Sequence, residues 1–280
     1  VHISFLKGHG TENDFVLLPD VDAVLDLTPA RVRALCDRRA GLGADGVLRV
    51  VRAKAVEGRP GDVDDDMWFM DYRNADGSVA EMCGNGLRVF ARYLLDSGLV
   101  GEREFPVGTR AGVRAVRVDG NGEVAIDMGA ARVGADSSVT TGGRRFAGVA
   151  VDVGNPHLVC IVDSLDDLDL SVPPTHDREL FPDGVNVEFV VVDGPERIRM
   201  RVHERGVGET RSCGTGTVAA VAGVLHARGE TSGAADVHVP GGCVHVAISG
   251  KTSTLTGPAA FVARGEVDLT WWNALAERAE

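Results

Sequence analysis

Short apolar segments, broken by Gly, Asp, Asn and Pro, run almost the whole length of the chain. They fall at residues 1–6, 15–18, 47–51, 67–72, 113–118, 124–128, 147–153, 157–162, 185–192, 198–203, 237–239, 244–248, 253–256 and 260–269. Segments of this length with this punctuation predict the strands of an antiparallel meander. Helical periodicity is confined to residues 29–39, 84–97 and 214–228, with short pieces at 165–168 and 175–179. The first of these has Thr28 as its N-cap, Pro29 at its first position and Gly41 just past its end. Many strands and few helices predict an α+β fold.

An internal repeat organises these elements. Glu81-Met82-Cys83-Gly84-Asn85-Gly86 returns 130 residues later as Arg211-Ser212-Cys213-Gly214-Thr215-Gly216, each opening a helical stretch. The same offset puts Asn74 on Glu204, each at the end of an apolar strand. Asp45-Gly46-Val47 recurs as Asp183-Gly184-Val185, and Asn13-Asp14-Phe15-Val16-Leu17 is echoed by Asn155-Pro156-His157-Leu158-Val159. This ordered series predicts two homologous halves, residues 1–130 and 131–265, with 266–280 as a C-terminal strand or tail packing back on the N-terminal half. Each half is expected to be a mostly antiparallel, curved sheet or barrel around one central helix. Pseudo-symmetric halves would face each other with the active site between them, where both helix starts meet a small anionic ligand.

The repeated motif carries the candidate chemistry. Glycines let a backbone approach a ligand closely, N–H groups at a helix start hold an anion, and the helix dipole lowers a thiol pKa. Two opposed cysteines, one thiolate and one thiol, suit a reaction in which a proton leaves one face of a carbon and another arrives from the opposite face. The α-hydrogen of an amino acid is a very weak acid, so donors must be aimed at the carboxylate that takes up the charge. Gly84, Asn85, Gly214 and Thr215 offer such N–H groups.

Composition narrows the partners. The 280 residues are 44% hydrophobic, enough for a sizeable core, and the net charge of -12 carries no basic block of the kind nucleic acid or an anionic membrane needs. The first residues mix Lys7, His9, Glu12 and Asp14 into apolar ones, unlike a leader, and no apolar run reaches spanning length, so a cytoplasmic protein is expected. The cysteines Cys36, Cys83, Cys160, Cys213 and Cys243 show neither a C-x-x-C pair nor a zinc pattern, and no metal is expected. Cys36 and Cys160 lie in apolar surroundings and read as buried small hydrophobes. Lys7, Lys54 and Lys251 are the only lysines, and nothing resembles a phosphate site beside a Schiff-base lysine, so no cofactor is expected.

Several motifs together resemble those of the diaminopimelate epimerase family. They are Gly10-Thr11-Glu12-Asn13-Asp14-Phe15, Arg73-Asn74-Ala75-Asp76-Gly77-Ser78, Met82-Cys83-Gly84-Asn85-Gly86, Gly154-Asn155-Pro156-His157, Gly184-Val185-Asn186-Val187-Glu188 and Glu204-Arg205-Gly206-Val207-Gly208-Glu209-Thr210, with Ser212-Cys213-Gly214-Thr215-Gly216. The resemblance spans essentially the whole chain. It implies a cofactor-independent enzyme, usually dimeric, that interconverts LL- and meso-diaminopimelate for lysine and peptidoglycan synthesis. It further implies that Cys83 and Cys213 are the acid/base pair and that Gly84, Asn85, Gly214 and Thr215 hold the reacting carboxylate. Asn13, Asn74, Asn155, Asn186 and Arg205 would bind the substrate's amino and carboxylate groups, mostly at the distal centre. His157 and Glu204 would tune the thiols, and Glu204 would also engage the α-amino group. One position departs from the pattern: many relatives carry Gln where this chain has Gly46.

Other readings compete with this one. Taken singly, Asn13, Asn155 and Asn186 read as backbone-capping residues beside turns, Glu204-Arg205 as a surface pair and His157 as a satisfied core histidine. Gly41-Leu42-Gly43-Ala44-Asp45-Gly46 matches a dinucleotide fingerprint in form, but a helix precedes it and a strand follows, the reverse of the required order. A thiol–disulfide oxidoreductase would use C-x-x-C. A proline or hydroxyproline racemase on the same fold is the alternative enzyme, although those relatives tend to carry His where this chain has Asn85. A binding protein on the same fold would leave both cysteines incidental.

Overall fold

The structure, a computed structural model, describes residues 2–277. Two compact units divide the chain, the first running to Ile126 and resuming at Pro258, the second comprising Asp127–Gly257. The first contains β1 (Ile3–Gly10), β2 (Asn13–Pro19), α1 (Pro29–Cys36), β3 (Gly46–Arg52), β4 (Trp68–Asn74), α2 (Gly84–Asp96), β5 (Glu104–Thr109), β6 (Gly112–Val118) and the first half of the short strand β7 (Val124–Gly129). The second contains β8 (Arg132–Thr141), β9 (Arg144–Asp152), β10 (Pro156–Ile161), β11 (Thr175–His176), β12 (Asn186–Gly194), β13 (Arg197–Glu204) and β14 (Gly208–Thr210). After these come α3 (Gly214–Ala227), β15 (Ser232–Val239), β16 (Gly242–Ser249) and β17 (Ser253–Gly257). The chain then returns to the first unit with β18 (Ala260–Val267) and α4 (Leu269–Glu277).

The two units repeat one pairing scheme. In the first, the order β18-β1-β2-β3-β4-β5-β6-β7 pairs antiparallel, antiparallel, parallel, antiparallel, parallel, antiparallel, antiparallel. In the second, β8-β9-β10-β12-β13-β15-β16-β17 follows the same succession. The sheets are therefore mixed, and not the simple meander that strand spacing suggests. A parallel pair needs a crossover: α1 lies in the one between β2 and β3, α2 in the one between β4 and β5, and α3 in the one between β13 and β15. The first unit takes its opening strand, β18, from the far end of the chain, which is why its last segment starts at Pro258 where the repeat in sequence suggested 266.

Pairing also corrects the repeat. Phe15 stands opposite Gly46, and Gly46 opposite Asn74; His157 stands opposite Asn186. Gly46 thus corresponds to Asn186, not Gly184, while Phe15 corresponds to His157 and Leu48 to Glu188. A side chain at position 46 has no room, because a Cβ there would lie 2.6 Å from the Arg73 carbonyl oxygen and 2.7 Å from the Tyr72 ring.

Helix α3 shows why this fold has a centre. Its sequence is apolar around the whole circumference, and Gly216 to Leu225 is buried throughout. Strands from β8 to β17 pack on it, so the second unit's sheet curls around the helix. α2 is amphipathic and keeps Arg92 and Asp96 toward solvent. Elsewhere, residues 175–179 form not a helix but a two-residue strand and a turn in which Asp177 Oδ1 accepts from the N–H groups of Glu179 and Leu180. Residues 165–168 form no helix either. Beyond β18, Asp268 accepts from Trp271 N–H and starts α4, which buries Trp272 against Arg31 of α1.

Candidate active site

Cys83 caps α2. Its backbone is extended (φ -141°, ψ 119°) and its sulfur accepts from Gly86 N–H at 3.5 Å. Asn13, just past the β1–β2 turn, places Oδ1 3.6 Å from Cys83 Sγ and accepts there from Asn85 Nδ2 at 3.1 Å. The other end of the Asn13 amide donates to Asp45 Oδ2 at 2.8 Å, so Asp45 fixes which way the amide faces. Asp45 and Asp14 are in turn clamped by Arg38, at 2.8 and 2.7 Å. Asn74 ends β4 and donates to Ser78 Oγ at 2.9 Å across a tight turn.

Arg88, one turn further along α2, is wholly buried. Its Nε donates to the Pro258 carbonyl oxygen at 3.2 Å and its Nη2 to Thr11 Oγ1 at 3.1 Å; Nη1 has no hydrogen-bond partner and, among the described residues, no carboxylate pairs with the guanidinium. Burial lowers its pKa to about 10, and the charge that opposes this fall is that of Cys83. The matching position in α3 is Val218.

Cys213 caps α3 with the same geometry (φ -125°, ψ 116°), accepting from Gly216 N–H at 3.4 Å. Its electrostatics differ. Burial first, then the neighbouring Glu204 and Glu188 carboxyls, push the Cys213 thiol well above the ordinary cysteine range, outweighing Thr215 and the Gly216 N–H. The helix start therefore does not by itself make this thiol acidic. Glu204, at the end of β13, accepts from Thr210 Oγ1 at 2.5 Å, and burial raises its carboxyl against hydrogen bonds from Thr210 and Cys213. A Glu204→Gln variant loses a negative neighbour of Cys213, so the Cys213 pKa falls and more thiolate is present at any fixed pH below it. Iodoacetamide modification of Cys213 at pH 8, followed by peptide mass spectrometry, should then run roughly tenfold faster than in the wild type.

His157 is fully buried: Nδ1 lies 2.7 Å from Glu188 Oε1 and Nε2 lies 2.9 Å from Asn155 Oδ1. Asn155 Nδ2 donates to Thr215 Oγ1 at 3.4 Å, and that oxygen is 3.6 Å from Cys213 Sγ. Asn186 is taken up by the backbone, donating to the Pro156 carbonyl oxygen at 3.1 Å and accepting from Arg205 N–H at 2.9 Å. The Arg205 side chain is exposed and donates to the Asp183 carbonyl oxygen at 3.3 Å.

Within the first unit the structure thus gathers Asn13, Cys83, Gly84 and Asn85, with Asn74 at a neighbouring strand end. Within the second it gathers Asn155, His157, Glu204, Cys213, Gly214 and Thr215, with Asn186 and Arg205 joined through backbone. Glu188 belongs to this second group, and sequence reading passed over it as a candidate, although a lone carboxyl in the apolar run of residues 185–192 is itself a signal. Cys36 and Cys160 lie inside apolar clusters, where burial pushes their thiols up to about 12. In each group a sulfur sits over a helix start whose first N–H groups have no intrahelical acceptor. Such an arrangement can move a proton next to a bound carboxylate.

The fold is shared with two solved structures of low sequence identity. One, from Bacillus anthracis, is a phenazine biosynthesis protein of the PhzF family, with a TM-score of 0.72 and 16% identity over 96% of this chain and 100% of that one. The other is a hydroxyproline epimerase from Agrobacterium vitis with bound trans-4-hydroxy-L-proline, with a TM-score of 0.66 and 16% identity over 96% of this chain and 93% of that one. A cysteine caps the main helix of each α+β unit, and relatives covering nearly the whole chain place this protein among the enzymes of the epimerase class of isomerases. The diaminopimelate epimerase family model matches residues 5–134 and 149–262, and the diaminopimelate epimerase of Mycobacterium bovis (strain BCG / Pasteur 1173P2) is 56% identical over 97% of this chain and 99% of that protein. The chain belongs to the diaminopimelate epimerase family.

Proposed function

We propose that this enzyme interconverts LL- and meso-diaminopimelate by a two-base exchange of one α-proton, with Cys83 and Cys213 as the bases. The observation that carries the reading is the duplicated cysteine N-cap, together with the opposite buried charge beside each sulfur. Arg88 places an uncompensated cation near Cys83, which favours the thiolate there; Glu204 and Glu188 favour the thiol at Cys213. In the forward step the Cys83 thiolate takes the α-proton and the electron pair of the C–H bond moves into the carboxylate. The Cys213 thiol then delivers its proton to the other face of the same carbon. Cys83 ends as thiol and Cys213 as thiolate, and the reverse reaction or exchange with water resets them.

Helix-start N–H groups at Gly84, Asn85, Gly214 and Thr215 stabilise the carboxylate as charge develops on it. Asn13, Asn74, Asn155, Asn186 and Arg205 bind the substrate's amino and carboxylate groups, and Glu204 takes the α-amino group. No cofactor is required. A small-molecule substrate, a homodimer and a cytoplasmic setting complete the reading, the last two on the strength of the family resemblance. Among the described residues no helix is long and apolar enough to cross a membrane.

Incubation in heavy water tests the proposal. Deuterium should enter the α-position of LL- or meso-diaminopimelate as the isomers interconvert, and should stay out of proline and trans-4-hydroxyproline. Exchange into either of those, with none into diaminopimelate, would move the chain to the alternative substrate class.

A further inference from the structure

Glu188 stands where a strand should be apolar. Its neighbours Val187 and Phe189 point into a hydrophobic cluster, so strand alternation turns Glu188 to the opposite face, against the start of α3. There it is fully buried, and a Cβ on Gly216 would fall 2.8 Å from Glu188 Oε1, so the glycine of the repeated motif makes room for this carboxyl. In the first unit the corresponding contact is apolar, with a Cβ on Gly86 meeting Leu48 and Phe15. A buried carboxyl is costly unless partnered. Oε1 has His157 Nδ1 at 2.7 Å, whereas Oε2 has no partner, and burial raises the carboxyl's pKa against the pull of His157.

Two forms place a proton between Oε1 and Nδ1, acid with imidazole or carboxylate with imidazolium. In both forms Nε2 keeps its hydrogen, as the facing acceptor Asn155 Oδ1 requires; a carboxylate beside a neutral imidazole protonated at Nδ1 would set a bare Nε2 against that oxygen. That hydrogen has one acceptor, Asn155 Oδ1 at 2.9 Å, which leaves the NH2 end of the Asn155 amide toward Thr215 at 3.4 Å. An amide flip would set NH2 against N–H. The orientation of Asn155 is therefore decided at Glu188, two side chains away.

We infer that Glu188 is a positioning residue: through the His157 tautomer it fixes the Asn155 amide with its donors facing the start of α3, where the substrate binds. The substrate half of the statement rests on the reading above; the tautomer half rests on the hydrogen-bond chain alone. In the first unit Asp45 performs the equivalent service for Asn13 by direct contact.

The test uses full-length protein labelled with 15N-histidine, the His157 signals being assigned with His157→Gln. In the wild type His157 should show a protonated Nε2. Glu188→Gln, whose amide N–H can donate to Nδ1, should keep that tautomer and stay within about threefold of wild-type kcat/KM for diaminopimelate. Glu188→Leu, which installs the residue found at the matching position of the first unit, should give a mixture of tautomers. It should also lose about thirtyfold in kcat/KM, mainly through a higher KM. A Leu variant with wild-type kinetics or an unchanged tautomer overturns the inference, and so does a Gln variant that keeps the tautomer yet is as impaired as Leu. The NMR comparison needs no substrate, so a wild type that leaves diaminopimelate unchanged would sink the proposed function while the tautomer series still decides the role of Glu188.

Discussion

Cys83→Ala and Cys213→Ala should each lower the interconversion of LL- and meso-diaminopimelate by roughly 10²- to 10⁴-fold, the range for removing an essential acid or base. The two losses should not be identical in kind. An enzyme left with one sulfur can still take a proton from one face and return one to that face. Cys213→Ala keeps the sulfur that rests near Arg88, so it should exchange the α-hydrogen of one stereoisomer with heavy water while producing almost none of the other. NMR for deuterium content, combined with chiral chromatography for inversion, separates exchange from epimerisation. Inversion at the wild-type rate by either variant would remove that cysteine from the mechanism. Cys36→Ala and Cys160→Ala serve as controls and should stay within about twofold, since burial holds both thiols protonated.

Arg88→Met should be the most damaging change that touches no substrate group. Methionine fills a similar volume and lets the helix stand, so the chief loss is a positive charge in a dry site. A cation near a thiol commonly favours its ionised form by about 1–3 pKa units, so Cys83 should hold about ten- to a thousandfold less thiolate at neutral pH. Iodoacetamide should modify Cys83 correspondingly more slowly at pH 7, and epimerisation should fall with it. Raising the pH should restore the rate in the variant more than in the wild type, because the missing thiolate is regained by deprotonation. Alkylation of Cys83 at an unchanged rate would show that the guanidinium serves packing alone. Thermal melting, read beside the kinetics, separates a folding defect from a charge defect.

The parts of this molecule that were legible in the sequence are the local ones. An N-cap is decided within one turn of helix, and so the two Cys-Gly-x-Gly starts and the helices behind them could be placed from the residues alone. Register is not local: the correspondence of Gly46 with Asn186 and of Leu48 with Glu188 follows from which strands pair, and the repeated Asp-Gly-Val pointed two residues astray. Strands with weak patterns also escaped. β8 is largely exposed and polar, and β5 carries Pro106 near its middle. The β1–β2 turn gave no signal at all, since Thr11 and Glu12 adopt φ of 49° and 62° where Asn-Gly would be expected. That turn sets Asn13 beside Cys83 and gives Arg88 the Thr11 hydroxyl, so a locally disfavoured conformation is held in place by the site it serves.

The C-terminal origin of β18 has a consequence for the order in which the molecule can be made. The second unit is one continuous stretch, complete as soon as Gly257 has been synthesised. The first starts earlier in the sequence but lacks the outer neighbour of β1 until residues 260–267 have been made, so during translation β1 presents an unsatisfied edge while the whole second unit is synthesised. The half made first is thus the half finished last. A stalled or truncated product would carry one intact unit and one adhesive edge, a form suited to capture by chaperones or to aggregation.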